Sequence, residues 1–234
     1  MTEIRWLQQT SANVPHHDEW LCPAERLRLA QLRIPKRRTD WRLGRWTVKS
    51  AVASCLNLPK DTPTFASIAV LPAETGAPKV FIRNQAAEVT VSLSHCDGVG
   101  ICAVAEGPVS LGCDLERVEP RSLAFVHDYF TPSEQDAVAA CDNEELRAAM
   151  ITLIWSAKEA VLKALETGLR ADTRSLTVSF AEDVNLNSPW RKLTVQTRDS
   201  CFEAWWKQDN QLLYCFASEH LLACPQELDK GIWD

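Results

Sequence analysis

The chain has 234 residues, 46% of them hydrophobic and 24% charged, with a net charge of −6; this is an ordinary globular composition and excludes a globally disordered or collagen-like chain. The acidic balance argues against a general nucleic-acid binder, and the sequence shows neither a bilayer-length apolar run nor a signal-peptide pattern, so a cytoplasmic protein is expected. Charge is uneven along the chain: residues 1–60 hold eleven Lys and Arg against five Asp and Glu, a balance of +6 that leaves −12 for the remainder.

In chain order, the pattern predicts a strand over residues 4–7 and a helix over 23–32 with Pro23 in its first turn. A second helix is predicted from Thr39, as N-cap, to Leu56, with a cationic stripe of Arg42, Arg45 and Lys49 at three- and four-residue spacing. Gly44 inside it weakens a helix by about 1 kcal/mol relative to alanine, which marks a close approach to the backbone. Strands follow at 67–71, 80–82, 88–93, 101–105 and 109–115. A short helix over 123–129 precedes Thr131-Pro132-Ser133-Glu134, a capping-box start for a helix to Cys141. Asn143 caps a long helix over 144–166 that Gly168 closes. Strands at 176–180, 192–197, 202–206 and 212–217 complete the chain. Helices plus a run of mostly antiparallel strands in each half give an α+β class, with no internal repeat that aligns the halves. The nine cysteines include no Cys-x-x-Cys pair, so a zinc site or redox motif is unsupported.

Two segments carry the chemistry. In Gly112-Cys113-Asp114-Leu115-Glu116, read as a strand, the period of two puts Asp114 and Glu116 on one face. In Trp155-Ser156-Ala157-Lys158-Glu159-Ala160-Val161-Leu162-Lys163, read as a helix, Glu159 and Lys163 stand one turn apart, with Lys158 about a quarter-turn away. Trp155, one turn before Glu159, reads as a core residue that fixes the helix. Acids on a strand face, or a Glu–Lys pair worth ~0.3 kcal/mol, are each common on solvated surfaces. Together they present carboxylates and ammonium groups on rigid elements. Like charges held close are costly unless a cation lies between them, which suits a hard ion such as magnesium, with the lysines facing a phosphate ligand of that ion.

These segments resemble the 4′-phosphopantetheinyl transferases, in their larger single-chain (Sfp-type) class. That family carries G-[IVC]-D-[IVL]-E and, some forty residues on, W-S-x-K-E-A-x-x-K; both are matched without a gap. Val91-Ser92-Leu93-Ser94-His95 resembles the family's strand ending in Ser-His, and residues 38–49 its basic, glycine-containing helix, so the likeness covers residues 38–163. One departure stands out. Where the family has Gly-Lys-Pro or Gly-Arg-Pro, this chain reads Gly76-Ala77-Pro78-Lys79, and Lys79 replaces the missing base only if the loop shifts.

The resemblance implies an α+β fold of two similar α/β subdomains in pseudo-twofold arrangement, residues 1–108 and 109–234, with the active site in the cleft between them. It implies an enzyme, a holo-[acyl-carrier-protein] synthase, that moves the 4′-phosphopantetheine arm of coenzyme A to a serine hydroxyl of an apo acyl or peptidyl carrier protein and releases adenosine 3′,5′-bisphosphate. Asp114, Glu116 and Glu159 would hold magnesium, and Lys158 and Lys163 would balance charge on the pyrophosphate. Arg45, Lys49, Ser94 and His95, with Lys79 and secondarily Arg38 and Arg42, would bind the nucleotide end. The serine proton would go to Glu159 or to a metal-bound water. The expected protein is a cytoplasmic monomer whose partners are coenzyme A and an acidic carrier protein, with no nucleic acid and no membrane. A non-catalytic coenzyme A- or carrier-binding protein and a magnesium-dependent phosphoanhydride hydrolase are the alternatives.

Overall fold

The computed structural model describes residues 3–180, 189–219 and 223–229, and the chain divides into two compact units: Glu3–Val109 with the segment from Pro225 on, and Ser110–Cys224. The first unit runs β1 (Arg5–Thr10), α1 (Pro23–Gln31), α2 (Pro35–Cys55), α3 (Thr62–Ser67), β2 (Ile68–Pro72), β3 (Pro78–Ile82), β4 (Gln85–Ala86), β5 (Val89–Cys96) and β6 (Val99–Glu106). β1, β6 and β5 form an antiparallel sheet, joined on the outer edge of β1 by a two-residue parallel strand, Gln226–Glu227; β2, β3 and β4 form a second sheet. α2 lies across β1, β6 and β5, and its apolar face buries Trp46, Val48, Ala51 and Val52 with Leu7, Trp20, Phe65 and Val104.

Two local features differ from expectation. α2 starts at Pro35 behind an extended Ile34, so Thr39 lies inside the helix; the fixed φ of proline suits the first helical position better than a threonine cap further on. α3 was not anticipated, although Asp61 caps it by accepting from the Thr64 N–H at 2.8 Å. The close approach expected at Gly44 is to the protein itself: a Cβ there would lie 3.0 Å from Leu93 Cδ1.

The second unit runs β7 (Gly112–Arg117), α4 (Leu123–Tyr129), α5 (Pro132–Ala139), α6 (Glu144–Ala164), β8 (Thr177–Phe180), β9 (Arg191–Gln196), β10 (Cys201–Asp209) and β11 (Leu212–Ser218). Its sheet has the order β7-β11-β10-β9-β8, antiparallel throughout. The predicted caps form as read: Asn143 Oδ1 accepts from the Leu146 N–H and Glu134 from the Thr131 N–H, each at 2.8 Å. α6 crosses β7 and β11, and the crossing demands a glycine. A Cβ on Gly112 would sit 1.7 Å from the Ala160 carbonyl oxygen of α6, an overlap with backbone that no rotamer change relieves.

The two units repeat each other at the level of single hydrogen bonds, although no repeat was visible beforehand. Trp46-Thr47-Val48-Lys49-Ser50-Ala51-Val52 of α2 matches Trp155-Ser156-Ala157-Lys158-Glu159-Ala160-Val161 of α6. Lys49 Nζ donates to Glu25 Oε2 (2.5 Å), Trp20 O (3.0 Å) and Phe65 O (2.9 Å). Lys158 Nζ donates to Glu134 Oε2 (2.7 Å), Tyr129 O (3.1 Å) and Thr173 O (2.9 Å). Each glutamate also closes its own capping box, Glu25 on the Cys22 N–H and Glu134 on the Thr131 N–H, and accepts a strand N–H, from Val70 and Val178 respectively. Both lysines are 0% exposed and their glutamates 1% and 2%. Among the described residues no helix is long and apolar enough to cross a membrane.

A buried ion pair whose every donor is used holds its elements firmly, and removal of one partner strands the other charge. Lys49→Met and Lys158→Met are each expected to cost about 3–5 kcal/mol in urea unfolding. A loss below about 1 kcal/mol in either would mean that the pair does not hold its unit together.

Candidate active site

β7 and α6 bring the two acidic segments together in the second unit. Asp114 and Glu116 lie on the β7 face that meets α6, while Trp155, Glu159 and Lys163 follow each other at four-residue steps along the helix. Lys163 Nζ donates to Asp114 Oδ1 at 2.7 Å and to the Cys113 carbonyl at 3.0 Å. The Trp155 indole N–H donates to Glu116 Oε1 at 3.2 Å, and Arg121 Nη2 reaches Glu116 Oε2 at 3.3 Å and Glu119 at 3.4 Å. Glu159 Oε1 is buried with no hydrogen-bond partner.

The electrostatics describe one coupled patch. Burial, and then the Asp114 charge, push Glu116 up to about 7 despite Arg121, Trp155 and Lys163; the same two causes raise Glu159 against the pull of Lys163. Burial alone would lower Lys163, but Asp114, Cys113 and Glu159 together raise it, so it stays an ammonium at neutral pH. Among the described residues, no three His, Cys, Asp or Glu side chains stand as a ready-made metal cage. Lys163 takes an oxygen of Asp114, and Trp155 and Arg121 take those of Glu116. The donor set nevertheless suits a hard cation: three carboxylates, two of them raised by burial and then by the charge of the third, and an orphaned buried oxygen on Glu159.

Two of the predicted phosphate ligands are corrected. Lys49 and Lys158 have all three donors engaged inside their own units and no exposed surface, so neither ammonium is available to a phosphate. Arg38 donates to the Leu29 and Leu32 carbonyls behind α1, and Arg42 ties down the loop at Pro15, His16, His17 and Asp18. Arg45 is largely buried, with Nε 3.8 Å from Glu25 and its guanidinium 4.9 Å from the Trp41 ring centre. Ser94 and His95 lie near the end of β5, before Cys96, with His95 exposed. Lys79 is exposed within β3, opposite Leu71, while Ala73 and Ala77 close the preceding turn. Trp155, expected as core, is partly buried against the core of its unit and also meets Glu116; its place one turn before Glu159 was the available signal. Arg121 was not singled out at all, since no pattern ties it to a strand acid five residues back.

A family profile described as the 4′-phosphopantetheinyl transferase superfamily matches residues 110–224. An L-aminoadipate-semialdehyde dehydrogenase-phosphopantetheinyl transferase of Xenopus laevis is 23% identical over 186 residues, 72% of this chain and 59% of that protein. The protein of the same name from Eremothecium gossypii is 28% identical over 152 residues, 61% and 54% of the two chains. The 4′-phosphopantetheinyl transferase psf-1 of Bacillus pumilus is 32% identical over 92 residues, 39% and 38%. The chain thus spans at most about three-fifths of these relatives. The strand acids and the Trp155–Lys163 helix are gathered in the unit that the profile covers, and it is this unit that matches the 4′-phosphopantetheinyl transferase superfamily.

Proposed function

We propose that the protein transfers the 4′-phosphopantetheine arm of coenzyme A to a serine of an apo acyl or peptidyl carrier protein, as a cytoplasmic, monomeric, magnesium-dependent enzyme. The observation that carries this reading is the patch of Asp114, Glu116 and Glu159 beside the Lys163 ammonium on β7 and α6. Transfer at a pyrophosphate depends on charge neutralisation and in-line positioning more than on covalent chemistry. Asp114, Glu116 and Glu159 would hold magnesium, which when bound offsets the charge of the pyrophosphate.

The chain's own groups supply the rest. The serine oxygen bonds to the phosphorus that bears the pantetheine arm, the bridging phosphoanhydride bond breaks, and adenosine 3′,5′-bisphosphate leaves with the electron pair. Glu159 is the side chain proposed to take the serine proton, through the oxygen that the cation would leave free. Lys163 offsets charge on the pyrophosphate. Arg45, Ser94 and His95 are assigned to the nucleotide end, with the exposed Lys79 adding positive charge; Lys49 and Lys158 have no such role. The +6 balance of residues 1–60 supports an acidic macromolecular partner.

The deciding experiment incubates the protein with coenzyme A, magnesium and an apo-carrier protein and reads intact mass. Gain of the phosphopantetheine arm by the carrier is expected. Unmodified carrier with intact coenzyme A would leave a binding protein, and cleavage of coenzyme A without carrier would leave a hydrolase.

Three outcomes follow from the geometry. Glu159→Gln puts a neutral amide in place of a partly buried carboxylate that has one orphaned oxygen and that burial disfavours, so its melting temperature should equal or exceed that of the native protein while transfer falls about a hundredfold or more; retained turnover at moderate magnesium would remove Glu159 from the site. Lys163→Ala should lower kcat by about two orders of magnitude at saturating carrier, whereas a mere surface pair predicts no change in rate. Complementary charge acts on encounter, so the Michaelis constant for the carrier should rise several-fold, roughly, between low and physiological ionic strength; salt-independent kinetics would point to apolar docking.

A further inference from the structure

One side chain of the α6 stripe has no part in the reaction above. Trp155 stands one turn before Glu159 and two before Lys163, and its indole N–H donates to Glu116 Oε1 at 3.2 Å. The ring is held edge-on by two residues of α4, Phe125 at 5.0 Å and Tyr129 at 5.2 Å between ring centres. Phe125 also carries the Arg121 guanidinium, 5.2 Å from its ring centre, which reaches the other oxygen of Glu116. Both oxygens of one carboxylate are therefore aimed by groups that are themselves fixed by aromatic packing.

The first unit supplies a built-in comparison. At the matching place in α2, Trp46 packs in the hydrophobic core against Trp20 and Phe65, at 5.2 and 5.0 Å. There Ser50 and Ser54 stand where α6 has Glu159 and Lys163. A tryptophan at this helix position thus serves well as plain core. In the unit that carries the acids it still packs against the core but is only partly buried, and its N–H turns to a carboxylate.

We propose that Trp155 is a positioning residue for Glu116, its indole N–H fixing the carboxylate in the orientation that a shared divalent cation requires. The proposal rests on the reading that Asp114, Glu116 and Glu159 hold such a cation. A glutamate has three side-chain torsions, and an outer hydrogen bond that removes their freedom raises metal affinity, typically by about 10–100-fold.

Trp155→Phe keeps an aromatic ring between Phe125 and Tyr129 and deletes the N–H together with part of the indole's volume. With manganese as a paramagnetic probe read by electron spin resonance, Trp155→Phe should bind about tenfold more weakly than the native protein, with only a modest fall in melting temperature from the smaller ring. Loss of manganese binding in Glu159→Gln identifies the site being read. In the 5-fluorotryptophan-labelled protein, one of the nine indole resonances, the one missing from Trp155→Phe, should shift on titration with magnesium. If the native protein binds no manganese, the metal reading falls and this proposal with it. If the native protein binds and Trp155→Phe binds equally well, the proposal alone is overturned. Should Trp155→Phe not fold, the fluorine spectrum decides, a set of resonances indifferent to magnesium overturning the proposal.

Discussion

Lys158 sets the rotation of α6, and the rest of the carboxylate patch depends on that setting. Its ammonium is pinned at three points, the Glu134 cap of α5 and the carbonyls of Tyr129 and Thr173, so the helix cannot turn about its axis without stranding a buried charge. Successive helical residues lie about 100° apart; with Lys158 directed inward, Glu159 is directed to β7, and Trp155 and Lys163 fall on the same stripe. Gly112 sets the depth of the approach by leaving the Ala160 carbonyl room against the strand. Rotation and depth together explain how Asp114 meets Lys163 at 2.7 Å and Glu116 meets Trp155 at 3.2 Å.

Comparison of the two units separates scaffold from chemistry. The capped glutamate, the lysine that it neutralises and the strand N–H that it accepts occur in both. The acids do not: the ladder that sets Asp114 opposite Cys215 in the second unit sets Leu7 opposite Cys102 in the first, and Ser50 and Ser54 take the helix positions of Glu159 and Lys163. The lock is a way of building a helix-on-sheet unit, and the carboxylates are what one copy adds to it.

Local signals in the sequence carried much of this fold, since caps and strand alternation act over a few residues. Asn143, the Thr131–Glu134 box and the period-two acids of β7 were all legible. The start of α2 was misread because a threonine cap outweighed Pro35. Lys49 and Lys158 were misread for a deeper reason. Lys158 precedes a catalytic-looking glutamate and Lys49 continues the cationic stripe of Arg42 and Arg45, so both invite a ligand role, while the true partner of each lies on another helix, 24 residues upstream, where only tertiary packing reveals it. The internal repeat escaped notice because it resides in a handful of spaced residues that make the same hydrogen bonds, with little else in common between the halves.

The order in which the chain is used has a consequence for its synthesis. The outer edge of β1 is covered by Gln226–Glu227, with Gln226 and Leu228 donating to the Ile4 and Trp6 carbonyls, and Ser54 and Lys60 of the same unit donate to the Asp229 carbonyl. The unit that leaves the ribosome first is therefore finished last. Until the whole of the other unit has been made, β1 carries a bare hydrogen-bonding edge open to foreign strands. The second unit holds all of its own sheet between β7 and β11 and needs no later segment to cover its edge strands.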